Sequence, residues 1–319
     1  MADPPISPRA ALVLSSHDLI VEAGRKVLYF HFRKMLRHEI GTILGDDIEE
    51  LHDMRVAIRR MRSALQLFGP YFDNKSIKLF VKGLRKTGKA LGRVRDLDVF
   101  LENLQNDHKS LAPLGRTNLE ILRAAWLLKQ TAARSKMRAY LECCKYLKYK
   151  LKFWDFLETP GAGVNLDTSL LQVKNIAPRL ITSSLQIVYA HHAKLTEPTV
   201  PELHALRIAF KRHRYTLEFF RSALGPEVED CIFLMKKIQD HLGDLNDAEF
   251  AANQVENYIG GLLPAAESSK YLLALNDFVA IKRSEVEKYV VDFPFKWDQF
   301  SASEYEENLI AAQAVLFVN

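Results

Sequence analysis

Cysteine is scarce in this 319-residue chain, and the three present cannot staple it. Cys143 and Cys144 are adjacent, which would strain a disulfide, and Cys231 stands apart. That usage suggests a reducing compartment, and no Cys/His spacing fits a metal site. Long apolar runs are missing as well. The opening MADPPISPRAALVLSS offers only Ala10 to Leu14, too short for a signal-peptide core or a membrane span. Residues 1–16 are expected to form a disordered tail. The protein is expected to be intracellular, cytoplasmic with the nucleus left open, and without a membrane partner. Nor is there a large charge excess: 44 Lys and Arg against 39 Asp and Glu leave +5, which excludes a bulk polycation. Strand-period alternation between turn signals is absent too, so a β or α/β fold is excluded.

Present instead is an ordinary globular balance, 48% hydrophobic and 26% charged, on a chain long enough to bury ample core. Helix-period apolar residues fill Asp18 to Leu44, Ile48 to Phe68, Ile77 to Leu104, Leu119 to Leu157 and Ser169 to Leu195. They continue over Thr199 to Leu224, Val228 to Tyr258, Ser268 to Val291 and Ser303 to Phe317. Glycine and proline fall between these runs, at Gly69-Pro70, Pro160 to Gly163, Gly225-Pro226 and Gly260-Gly261 among others. The chain reads as all-α. The midpoint break divides it into a first half, 17–160, and a second, 161–319. Each has about four long helices, enough for a four-helix bundle.

The halves also share text. LHDMRVAIRRMR (51–62) and LHALRIAFKRHR (203–214) align at a constant offset of 152. A Gly-Pro step follows each. LGRVRDLDVF (91–100) then matches LGDLNDAEF (242–250) at an offset of 151. So long a period is no solenoid repeat; it predicts a duplicated bundle with two halves about a pseudo-twofold axis.

On a helix, His52, Arg55, Arg59 and Arg62 fall within an arc of roughly 80° beside an apolar stripe that includes Leu51, Met54, Ile58 and Met61. His204, Arg207, Lys211 and Arg214 repeat the pattern beside Leu203, Leu206 and Phe210. The helix after the first Gly-Pro step adds Lys78, Lys82, Arg85, Lys86, Lys89 and Arg93 within about 100°. From Leu51 to Arg95 there are twelve Lys or Arg and only two acids, Asp53 and Asp73. The i,i+4 acid–base lacing of a solvated helix is therefore missing, and unpaired like charges at that spacing cost a few tenths of a kcal/mol each. Any one lysine could simply solubilise an exposed face. A row of four to six, written twice, points to an anion that offsets the repulsion. In the second half Lys236 and Lys237 persist, but Asp240 and Asp244 replace Lys89 and Arg93, so positive charge should concentrate toward the first half.

The paired pattern H-x-x-R-x-x-x-[RK]-x-x-R, each copy followed by LG-x-x-[RN]-D, resembles the CHAD domain, the conserved histidine α-helical domain. The likeness runs from about Asp18 to the C-terminal helices. It implies one domain of two four-helix bundles with internal pseudo-symmetry around a basic groove or pore that binds inorganic polyphosphate. By residue match it implies ligand contacts at His52, Arg55, Arg59, Arg62, His204, Arg207, Lys211 and Arg214. Lys82, Arg85, Lys86, Lys89 and Arg93, with Lys236 and Lys237 opposite, would complete the lining. Arg33, Arg37, Arg60, Arg138 and Arg212 are further candidates. Asp244 and Asn246 stand where the first half has Arg93 and Arg95, a departure from a symmetric lining. No triphosphate-tunnel catalytic domain accompanies the match.

The chemistry fits without the name. A linear polyphosphate wants cations at regular steps, and a helix supplies one every three or four residues, roughly 5–6 Å apart. Arg forks and Lys point charges suit its oxygens. Nucleic acid, RNA in particular, is the alternative partner, but the stripes lack the interleaved aromatics that stack bases. A phosphohydrolase would draw on His52, His204, Asp96, Asp98 and Asp247, yet the basic faces hold almost no carboxylates for metal. The expectation is thus a non-catalytic binding protein without cofactor or metal, and a monomer. His191 and His192 point about 100° apart on a helix and read as surface.

Overall fold

The computed structural model describes residues 12–110, 113–261, 270–300 and 303–318. Among them the chain forms ten α-helices: α1 (Ile20–Leu44), α2 (Ile48–Phe68), α3 (Asn74–Ser110), α4 (Pro113–Leu141), α5 (Cys144–Glu158), α6 (Val173–Tyr189), α7 (Val200–Phe220), α8 (Val228–Ile259), α9 (Lys270–Phe300) and α10 (Ser303–Val318). No strand forms among the described residues beyond two isolated bridges, Leu19 to Gln172 and Phe72 to Val164. The fold is all-α. No described helix is long and apolar enough to cross a membrane.

Local chemistry sets the helix ends that matter most for the site. Gly45 closes α1 at φ +79°, a left-handed backbone that glycine adopts freely. Two residues on, the Asp47 carboxylate accepts the Glu49 N–H at 2.8 Å and starts α2. Thr199 and Glu202 form a capping box at the head of α7, with Pro201 in its first turn. The repeated text therefore begins both times just after a well-capped helix start.

The expected single helix from Leu119 to Leu157 is two. Cys143 is extended, at φ −75° and ψ 146°, with neither glycine nor proline to break the chain. Packing overrides propensity there. Folding back lets Phe153 meet Phe32 of α1 at 4.9 Å and Phe80 of α3 at 4.5 Å between ring centroids. It also buries Glu39 with its two donors, Tyr146 at 2.7 Å and the ammonium of Lys150. Within residues 12–16, expected to belong to a disordered tail, Leu14 is instead buried, and its N–H donates to Ser222 Oγ at 2.7 Å. Residues 1–11 of that expected tail lie outside the described residues. AHHAKL also differs from a bare surface, because His192 Nδ1 accepts the Trp297 indole N–H at 2.8 Å.

One continuous apolar core draws on both halves of the chain, and a smaller cluster around Phe100, Trp126, Val255 and Phe278 joins α3, α4, α8 and α9 farther out. Where α2 ends against α7, Phe68 meets Phe219 and Phe220 at 6.1 and 5.6 Å. Gly24 of α1 leaves room for this junction, since a Cβ there would sit 2.8 Å from the Phe68 Cβ. The backbone ties the halves as well: Ile20 N–H donates to Leu171 O, and Val173 N–H to Asp18 O, at 2.8 and 2.9 Å. Phe68→Ala should therefore cost about 3–5 kcal/mol of stability. Urea unfolding is expected to remain one cooperative transition at a lower midpoint; a new two-step curve would show that the halves fold separately.

Candidate anion-binding site

The α2 apolar stripe is buried from Leu51 through Phe68, which fixes how the neighbouring stripe is turned. His52, Arg55 and Arg59 are half-buried, and Arg62 is exposed. Arg55 and Arg62 lie against α3, where Gly88 and Gly92 present no side chain. A Cβ on Gly88 would lie 3.6 Å from Arg62 Nη1, and one on Gly92 would lie 3.8 Å from Arg55 Nε. Arg55 Nη2 also donates to Asp96 of α3 at 3.2 Å. On α7, Arg207, Lys211 and Arg214 are half-buried and His204 is exposed, its Nδ1 3.1 Å from Asn246 Oδ1.

The two stripes meet. Arg59 Nε donates to Tyr215 Oη of α7 at 2.7 Å, and Tyr215 is itself 1% exposed. Glu218 of α7 takes one guanidinium from each half, Arg60 at 2.7 Å and Arg214 at 3.2 Å. Arg60 and Arg214 also flank the Tyr215 ring at 5.2 and 5.4 Å. A tyrosine and a carboxylate thus hold arginines of both halves side by side.

The electrostatic result is strong mutual disfavour. Lys211 is pushed down to about 7, by burial first and then by Arg207, Arg59, Arg55 and Arg214. Burial also lowers Arg55 and Arg207; Asp96 and Asp247 respectively offset part of the effect, and Arg59 adds to it in both. Both arginines stay charged, as guanidinium does at any ordinary pH. His52 is lowered by burial and by Arg95, which favours the neutral ring. Burial raises Asp96, and Asp247 of the other half raises it further against the pull of Arg55. On the α2 and α3 side, Arg55 feels the charge of Arg207 and Asp96 that of Asp247, both in the second half.

Two buried guanidinium nitrogens near this meeting point, Arg95 Nη1 and Arg214 Nε, have no hydrogen-bond partner. A buried, unpaired charged donor costs more than a neutral one, so both favour an anionic acceptor. Arg95 lies outside the predicted stripe, whereas Arg93, which belongs to it, is exposed on α3. The signal that could have found it is Asn246, its equivalent, already bonded to His204.

The remaining candidates separate into groups. Lys82, Arg85, Lys86, Lys89 and Arg93 are all exposed on α3, with no ion-pair partner among the described residues. Lys236 and Lys237 are exposed on α8, the second with its ammonium 4.5 Å over Phe233. Arg212 is exposed on α7. Arg138 pairs with Glu142 on its own chain segment at 3.0 Å. Arg33, Arg37 and Arg60 line a different pocket, between α1 and the other flank of α2. Asp98 is structural, buried against Gln130 and Arg134 at 2.6 and 3.2 Å. Among the described residues, no group of three or more His, Cys, Asp or Glu is placed to hold a metal ion.

Comparison with known proteins follows the same outline. The CHAD domain family model matches residues 26–256. Two uncharacterized proteins of Mycobacterium tuberculosis, MT2285 of strain CDC 1551 / Oshkosh and Rv2226 of strain ATCC 25618 / H37Rv, are each 27% identical over 219 residues. That span is 65% of this chain and 40% of either relative, so the match reaches less than half of their length. The crystal structure of the CHAD domain from the plant Ricinus communis superposes with a TM-score of 0.70 at 24% identity, covering 88% of this chain and 94% of that one. PptA from Streptomyces chartreusis gives 0.64 at 18% identity, covering 88% and 99%. At these identities the likeness is one of fold.

Lys211 supplies a pH test. Native Lys211 holds its proton less tightly than in the unfolded chain, so between about pH 7 and its ordinary 10.5 the unfolded state binds more protons and stability rises with pH. Below pH 7 both states are protonated and the buried charge is retained in full. Lys211→Met should therefore stabilise the free protein most near pH 6 and progressively less toward pH 10, read from urea midpoints across that range. An equal effect at both ends would place the ammonium outside the shared field.

Proposed function

The chain belongs to the CHAD domain family, and from that premise we propose that it binds inorganic polyphosphate without catalysing its turnover. The cations of α2 and α7 would make the inner contacts: His52, Arg55, Arg59 and Arg62 from one half, His204, Arg207, Lys211 and Arg214 from the other. The exposed α3 row, Lys82, Arg85, Lys86, Lys89 and Arg93, with Lys236 and Lys237 of α8, would hold the polymer where it leaves them. In this reading the halves stand about a pseudo-twofold axis, with the polymer in a basic channel between them. The three free cysteines suit a reducing intracellular setting.

The observation that carries the proposal is that half-buried cations of both halves disfavour one another, while Arg95 and Arg214 leave guanidinium nitrogens unpartnered. A phosphate oxygen accepts from several such donors at once and needs no general base or metal from the protein. An inorganic chain also needs no aromatic platform. Tyr215, the ring that arginines of both halves flank, is buried and cannot stack an RNA base.

Titration of purified protein with polyphosphates of increasing length tests this. Affinity is expected to rise with length and to fall steeply with salt as counterions are released. Arg55→Ala with Arg59→Ala should weaken binding at least about a hundredfold, given roughly 1.5–3 kcal/mol for each charged hydrogen bond lost. Circular dichroism should remain that of the folded protein. Affinity indifferent to length and salt, or single-stranded RNA displacing long polyphosphate at equal charge, would contradict the proposal. A further expected outcome is proton uptake on binding at pH 8, because phosphate oxygens restore the Lys211 ammonium; calorimetry in buffers of differing ionisation heat reads it.

A further inference from the structure

The pocket between α1 and α2 belongs to neither motif stripe. On α2 it is lined by Asp53, Val56, Ala57 and Arg60, a flank turned away from His52, Arg55, Arg59 and Arg62. Its volume is about 900 Å³, near the top of the range of roughly 300–1,000 Å³ usual for small-ligand pockets.

Three features define what it could hold. The first is charge: Lys34, Arg37 and Arg60 all line it, and Lys34 is lowered by burial and by the charges of Arg60 and Arg37. Among the described residues Lys34 and Arg37 have no ion-pair partner, whereas Arg60 shares Glu218. The second is an apolar wall of Val13, Phe30, Val56 and Ala57 in the same lining. Val13 is 64% exposed, an apolar surface left to solvent beside a cationic rim. The third is His31, a lining residue only 1% exposed, set against Phe30 and Phe219 with ring centroids at 5.0 and 6.0 Å. Its Nδ1 is buried without a hydrogen-bond partner. Burial, with Arg60 and Lys34 nearby, lowers it to about 3, so the ring is neutral and offers one donor and one acceptor.

We propose that this pocket is a second ligand site, separate from the motif cations, and that it takes a nucleoside phosphate, with the phosphates at Lys34, Arg37 and Arg60 and the nucleoside against Val13, Phe30 and Val56 above His31. An inorganic polymer has no apolar surface and would leave that wall facing water. A nucleoside has a flat apolar body and ring heteroatoms that can pair with a neutral imidazole. This site does not depend on polyphosphate binding at the motif helices.

Calorimetric titration with ATP, without divalent metal, tests the assignment on four proteins: the wild type, Val56→Trp to fill the pocket, Arg37→Glu to reverse its charge, and Arg55→Ala/Arg59→Ala. ATP is expected to bind one to one. Val56→Trp and Arg37→Glu should each weaken it at least tenfold, with melting curves showing both folded. The motif double variant should keep ATP binding within about twofold, and Val56→Trp should keep binding long polyphosphate. Three results would overturn the proposal: no ATP binding at millimolar concentration; loss of ATP binding in the motif double variant but not in Val56→Trp; or inorganic tripolyphosphate matching ATP in affinity and in sensitivity to Val56→Trp. Arg37→Glu keeps the test decisive if Val56→Trp fails to fold, since Arg37 is exposed.

Discussion

The structure depends on an apolar junction that holds like charges together. Phe68 of one half rests on Phe219 and Phe220 of the other, and all three are buried. Burying side chains of this size contributes about 1.5–3 kcal/mol each. Exposed like-charge pairs cost only tenths of that, although the cost grows as charges leave water. Hydrophobic contact therefore wins at the junction, and the stripes beside it follow wherever the helices go. Tyr215 and Glu218 then fix the arginines against one another instead of letting them swing out to solvent. The strain that results is local, and it is largest on Lys211.

The repeated motif text places similar residues in the two halves but not similar charge. Arg55 lies against Asp96 in the first half, and Arg207 is drawn to Asp247 in the second, each acid one residue past the LG-x-x-[RN] position. Asp247 also raises Asp96, so the two carboxylates share the region that the cations share. The equivalent of Arg95 is Asn246, which pairs with His204 and carries no charge. Asp244, where the first half has Arg93, is raised by burial and by Asp247 and Asp240. Positive charge is thus graded from α3 toward α8.

Much of this could be read from the residues. The all-α class followed from period and breakers, and the α2 and α7 stripes from the spacing of His, Arg and Lys around a buried face. What the sequence concealed has physical reasons. The chain break at Cys143 is set by tertiary packing of Phe153, with no glycine or proline to mark it. Leu14 sits in a stretch too short for periodicity, yet Ser222, more than 200 residues away, anchors it. Arg93 and Arg95 differ by about 200° around α3, so only the direction of the helix separates the exposed side chain from the half-buried one. Likewise Arg59 and Arg60 are neighbours in sequence yet lie on different flanks of α2, because one residue turns a helix by about 100°.

The central claim is that cations of both halves occupy one field that only a polyanion relieves. Its most direct measurement is an NMR titration of the Lys211 ammonium, following its ε-carbon across pH 5 to 11 with and without a long phosphate polymer. The account expects a midpoint near 7 in the free protein and a return toward the ordinary lysine value of 10.5 when the polymer is bound. A free-protein midpoint already near the ordinary value, or one that the polymer leaves in place, would contradict it.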